Sequence, residues 1–181
     1  MSLHIALLRG INVGKGKPVA MADLKAMMTE LGFTGVSTLL RSGNIVFDAG
    51  RTTPDELEAR LQQEAEARLG LRTQVFVRTA AQWADAIAHN PFPGEAAADP
   101  SHLLLVALKQ APSPGDIEAL QQAIPGRERI RSWERHAYVV YPDGIADSSL
   151  TPAIWSRHLG RDAGTARNWN TALKLLTLAK K

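Results

Sequence analysis

The 181-residue chain contains no cysteine, which excludes disulfides, thiolate nucleophiles and Cys-ligated zinc. It has no apolar run approaching 20 residues, so no helical membrane span is expected. Aromatic residues make up only 6%. A sheet that stacks RNA bases needs aromatics on its central strands. The segment "LHIALL" (3–8) has none and "NIVFDA" (44–49) has only Phe47, so that mode of binding is disfavoured. No long block of one charge is present, which argues against wholesale disorder. The first residues, "MSLHIALLRGIN", lack a basic segment ahead of their short apolar stretch, and no small-residue cleavage site follows. A secretory signal is therefore not expected, and the expected location is the cytoplasm.

What is present suits one large domain or two small ones. The apolar fraction, 45%, is enough for a sizeable core. The net charge of +3 is unevenly spread. From Leu150 onward six basic residues face Asp162 alone, whereas residues 51–100 carry eight acids and five bases. A basic C-terminal segment favours an anionic partner, or simply a solvated helix end where cations suit the dipole.

Periodicity predicts a strand over Leu3–Leu8 and then a helix with Leu24, Met27, Met28 and Leu31 on one face. "VSTLLR" and "NIVFDA" flank Ser42-Gly43 as a hairpin. Thr53-Pro54-Asp55-Glu56 reads as a capping box opening a helix, and "RTQVFVR" alternates as a strand. This βαββαβ order is that of a ferredoxin-like half over residues 1–78. Residues 79–181 partly repeat it as a C-terminal α/β half with closing helices, but without a clear fourth strand. Here "PFPGEAAADPS" (91–101) reads as a loop and "TARNWNTALKLL" as a helix and its start. Trp83, Trp133 and Trp155 are expected in the core. The expected class is α+β, two ferredoxin-like halves packed together. "LHIALL" and "HLLLVAL" (102–108) are apolar almost throughout, which predicts sheets covered on both faces, by the other half or by a second subunit.

Three stretches stand out chemically. "RGINVGKGKPVA" (9–20) follows the first strand and combines Gly10, Gly14 and Gly16 with Arg9, Lys15 and Lys17. Glycines let backbone N–H groups approach an anion, and cations neutralise it. It is not a P-loop: Gly10 to Gly14 is one residue too short, Gly16 stands where the hydroxyl belongs, and Pro18 separates it from the helix. The alternative is a surface loop whose glycines need positive φ. "RSGN" (41–44) is a hairpin turn that also presents Arg41, Ser42 and Asn44. "TARNWNT" (165–171) offers Thr165 or Asn168 as a helix cap and places Trp169, Leu173 and Leu176 toward the core. Arg167 there would oppose the helix dipole, which invites either an anion or a carboxylate from elsewhere.

These same three stretches, "ALLRGINVG", "RSGNIVF" and "TARNWNTALKLL", closely resemble signature segments of the bacterial family catalogued as domain of unknown function 1697. The resemblance runs from Ile5 to about Leu176. It implies a two-part fold of ferredoxin-like repeats and no particular reaction. The loop "GKGKPVA" departs from the Lys-Asn type associated with the family.

The functional expectation is a polar, basic site between the halves for a small anion such as a phosphate or carboxylate compound. Its candidate residues are Arg9, Asn12, Lys15, Arg41, Asn44, Arg167 and Asn170. One alternative is an interaction module whose motifs only stabilise the fold and whose edge strands mediate a homodimer. A third is weak nucleic-acid binding through Arg157, Arg161 and Lys174. The five histidines have no metal-ligand spacing and no G-x-S-x-G elbow occurs, so neither a metal nor a cofactor is expected, and whether the chain is an enzyme stays open.

Overall fold

In the computed structural model, which describes residues 2–14 and 18–180, the apolar stretches become strands and the capped stretches become helices. The first six elements are β1 (Leu3–Leu8), α1 (Met21–Glu30), β2 (Thr34–Leu39), β3 (Asn44–Asp48), α2 (Pro54–Leu69) and β4 (Val75–Thr79). The strands form one antiparallel sheet in the order β2-β3-β1-β4. The α2 box forms: Thr53 Oγ1 accepts from the Glu56 N–H, and the Glu56 carboxylate accepts from the Thr53 N–H. The helix ends at Gly70, in the left-handed conformation that costs glycine least. Ala6, Leu8, Ile45, Phe47 and Val77 on one sheet face pack with Leu24, Met28, Leu57 and Leu61 of the helices. The opposite face is covered too, since Ile5, Leu7, Val46 and Phe76 are all buried.

The chain divides into two units, Met1–Asp85 with Lys174–Lys181, and Ala86–Leu173. It passes from the first to the second within α3 (Ala80–Ala88) and returns within α7 (Trp169–Leu178). Between them lie α4 (Pro93–Ala98), β5 (Leu103–Leu108), α5 (Pro114–Ala123), β6 (Arg129–Trp133), β7 (His136–Val140), α6 (Pro152–Leu159) and β8 (Gly164–Asn168). The second sheet is antiparallel in the order β6-β7-β5-β8, the topology of the first. Both units are therefore ferredoxin-like, and the fold is α+β.

Several expectations are corrected. The second unit does have a fourth strand, and it is the start of "TARNWNT". β8 pairs with β5, Arg167 opposite Leu105 and Thr165 opposite Ala107. Its composition, Gly-Thr-Ala-Arg-Asn, has no aliphatic alternation, so pairing with β5 overrides local propensity. The stretch 91–101 is not all loop, because Pro93 opens the short helix α4. On α7 the buried stripe is Trp169, Ala172 and Leu175, while Leu173 is 40% exposed. Trp83 is buried, but Trp133 is 38% exposed and stacks on His89 with ring centroids 3.8 Å apart. Among the described residues no helix is long and apolar enough to cross a membrane.

Candidate functional site

At the end of β1 the chain turns out of the sheet. The Arg9 N–H donates to Gln74 O (2.9 Å), and the Arg9 carbonyl accepts from Thr73 Oγ1 (2.8 Å), so the loop begins pinned near β4. Gly10, Asn12 and Gly14 then all take positive φ. Asn12 adopts that conformation while its side chain ties three places together. Its Nδ2 donates to Val19 O (2.9 Å) and Arg41 O (2.7 Å), and its Oδ1 accepts from the Val19 N–H (2.7 Å). One amide thus closes the base of the loop and fastens it to the β2–β3 turn.

The turn meets the loop closely. The Leu8 N–H donates to Gly43 O at 2.8 Å. A Cβ on Gly43 would lie 2.7 Å from Ile11 Cδ1 and 2.8 Å from Leu8 Cβ, so the approach requires a residue without a side chain. Asn44 is fully buried, and its Nδ2 donates to Leu39 O (2.8 Å) and Ser42 Oγ (2.9 Å) across the hairpin. The loop and the turn, two of the three stretches singled out above, therefore converge within the first unit. Arg9 is half-buried and Arg41 is exposed at this end of the sheet. Both asparagines hold backbone, and the arginines bring positive charge and N–H donors. That combination suits holding and orienting an anion. Lys15 falls outside the described residues.

The remaining candidates belong to the second unit. Arg167, on β8, is 9% exposed. Its Nη1 donates to Thr165 Oγ1 (3.0 Å) and to the carbonyl of Ala166 (2.8 Å). Burial lowers its pKa to about 10. Asn168 caps α7, its Oδ1 accepting from the Thr171 N–H at 3.0 Å, and Asn170 is exposed in the first turn.

Two buried carboxylates escaped the sequence reading. Glu58 in α2 accepts from the Val77 N–H (2.8 Å) and from Arg78 Nη1 (3.5 Å), with both acid and guanidinium buried. Its signal was its place beside Leu57 on the stripe that continues through Leu61 and Ala65. Glu128 receives Ser148 Oγ (2.6 Å), the Ser149 N–H (2.6 Å) and Ser149 Oγ (2.9 Å). Burial pushes its carboxyl up, but the bonds from Ser148, its own backbone and Ser149 outweigh that and hold it at about 2. Nothing in "GRERIR" marks it out. Among the described residues no three His, Asp or Glu side chains gather as metal ligands would.

The family described as "Protein of unknown function (DUF1697)" matches residues 1–138, a span that includes the loop and the turn but ends before "TARNWNT". No curated protein matches the chain. Among solved structures, a conserved bacterial protein from Streptococcus pneumoniae is similar with a TM-score of 0.74 and 17% identity, covering 98% of each chain. At that identity the likeness speaks to the fold.

Proposed function

The chain belongs to the DUF1697 family, whose description assigns no reaction, and we propose from the geometry that the loop–turn end of its first unit binds a small anion of the phosphate or carboxylate type. The supporting observation is the Asn12 side chain, which joins the two basic segments through Val19 and Arg41. In this reading Arg9 and Arg41 contact the ligand. Asn12 and Asn44 form the frame. Arg167 and Asn170 stand outside this core proposal, in the second unit.

The test is a thermal-shift panel of inorganic phosphate, nucleotides and phosphorylated sugars. A ligand that binds only the folded state raises the melting temperature in proportion to the logarithm of its concentration over Kd. The expected result is stabilisation at millimolar ligand that Arg41→Ala weakens by about ten-fold in affinity, the size of one charge-assisted contact. Arg9→Ala acts in the same direction. A flat panel at millimolar concentration removes the proposal.

A fold-holding reading is favoured for the two asparagines by their bonds to backbone. Asn12→Ala should lower the melting temperature without ligand by unfastening loop from turn, a loss of about 1–3 kcal/mol.

A further inference from the structure

In an antiparallel pair, a residue's N–H and C=O point together, either toward the neighbouring strand or away from it. An outer strand therefore offers peptide groups at every second residue, a ready template for another chain. Among the described residues β6 is an outer strand, paired with β7. Arg129, Arg131 and Trp133 along it are exposed.

Side chains meet its outward groups. Gln121 of α5 donates Nε2–H to Glu128 O (2.9 Å) and accepts the Ile130 N–H on Oε1 (2.8 Å). Its amide stands where an added strand would place a peptide group. Arg131 folds back so that Nη1 donates to Ile130 O at 2.7 Å. Ser132 is the next residue whose peptide groups face outward.

The same arginine geometry recurs on two other outer strands. Arg78 Nη1 donates to Val77 O (2.7 Å) on β4, and Arg167 Nη1 to Ala166 O (2.8 Å) on β8. On β4 the N–H groups of Val75 and Val77 are also taken, by Gln62 and Glu58. On β2, the fourth outer strand, the register with β3 shifts between Thr34 and Ser37, where Gly35 has φ 61°. Such bulges are themselves a defence of edges.

We infer that Gln121 and Arg131 are edge guards, which keep the β6 strand closed to a second copy of this chain. The symmetric pairing of two β6 strands would bond Ile130 of one copy with Ser132 of the other. That register sets Arg131 directly opposite Arg131, so the residue that covers the carbonyl also repels the copy. Without the guards the edge presents its peptide groups beside exposed Trp133.

The test compares wild type with Gln121→Ala/Arg131→Thr by size exclusion with light scattering across a concentration series, with circular dichroism as the check on folding. The double variant is expected to associate at a concentration about ten-fold lower than wild type, or lower still. Adding Ser132→Pro removes an outward N–H, which an outer strand tolerates, and returns the protein to wild-type behaviour. If the double variant unfolds, Arg131→Thr alone on the exposed strand carries the test, with a smaller gain in the same direction. A folded variant that associates no more readily than wild type overturns the inference. So does association that Ser132→Pro leaves intact, or a wild-type dimer that Ser132→Pro dissociates.

Discussion

Set side by side, the two units share a sheet topology and a hydrogen-bond plan. Leu8 N–H bonds to Gly43 O, and Leu108 N–H bonds to Arg135 O. Arg9 N–H bonds to Gln74 O, and Lys109 N–H bonds to Ala163 O. Arg78 stands opposite Ile5 as Arg167 stands opposite Leu105. Thr79 caps the helix after β4, and Asn168 caps the helix after β8. Gly43 and Arg135, or Gln74 and Ala163, have no chemistry in common. Those strand-end bonds are thus carried by the main chain, while the edge arginine and the helix cap are shared side-chain features.

The differences are correspondingly local. The fifth residue of α2 is Glu58, beneath Arg78, and the fifth residue of α6 is Ser156. The connection from β3 to α2 is short. The connection from β7 to α6 is longer, and brings Ser148 and Ser149 onto Glu128. In the first unit the residue just before the second strand is Phe33, in T-shaped contact with Phe47 and under the guanidinium of Arg60. There the short connection leaves a cleft of about 390 Å³ lined by Phe33, Thr34, Asp48, Thr52 and Arg60. One plan therefore yields an open polar cleft in one unit and a closed, serine-lined carboxylate in the other.

Breaking the buried ion pair gives the largest expected contrast. Glu58→Ala removes the buried carboxylate that accepts from the Val77 N–H and Arg78 Nη1, at a cost of about 3–5 kcal/mol in urea unfolding. Ser156→Ala, at the matching place, should change stability by less than about 0.5 kcal/mol. Equal effects would dissolve the distinction between the units.

Glu128 comes next, and its effect depends on pH. Its folded pKa of about 2 lies below the ordinary 4.5. The carboxylate therefore adds stability above about pH 4.5, and that stability is lost as pH falls toward 2. Glu128→Gln should cost about 2–3 kcal/mol at pH 7, and the gap from wild type should close on acidification. A gap that is constant from pH 7 to pH 2 would deny the carboxylate its role.

The caps give the smallest effect and sharpen the likeness. Thr79→Ala and Asn168→Ala should each cost about 1 kcal/mol, measured by thermal unfolding. A clear inequality would mean that the two helix starts are held differently despite the shared plan.

The first unit was legible in the sequence because its elements announce themselves: aliphatic strands, the Thr53–Glu56 box, Gly70 at a helix end. β8 was not, since a strand of Gly, Thr, Ala, Arg and Asn gains its conformation from β5 rather than from its own residues. The candidate site was legible in part. Asn12 and Asn44 stood out as polar residues in unusual loops. What they do depends on carbonyls 7 and 29 residues away for Asn12, and on a hairpin closed over Gly43 for Asn44. Glu128, between two arginines, carries no mark in the sequence, and only the fold of residues 148–150 makes it a buried acceptor.

The route of the chain also sets an order of events during synthesis. The first unit counts residues 174–181 among its own, yet everything between Asp85 and Lys174 must leave the ribosome before they do. The half that emerges first is therefore the last to be completed. A nascent chain stalled anywhere in the second unit carries a first sheet still waiting for its closing turn of helix.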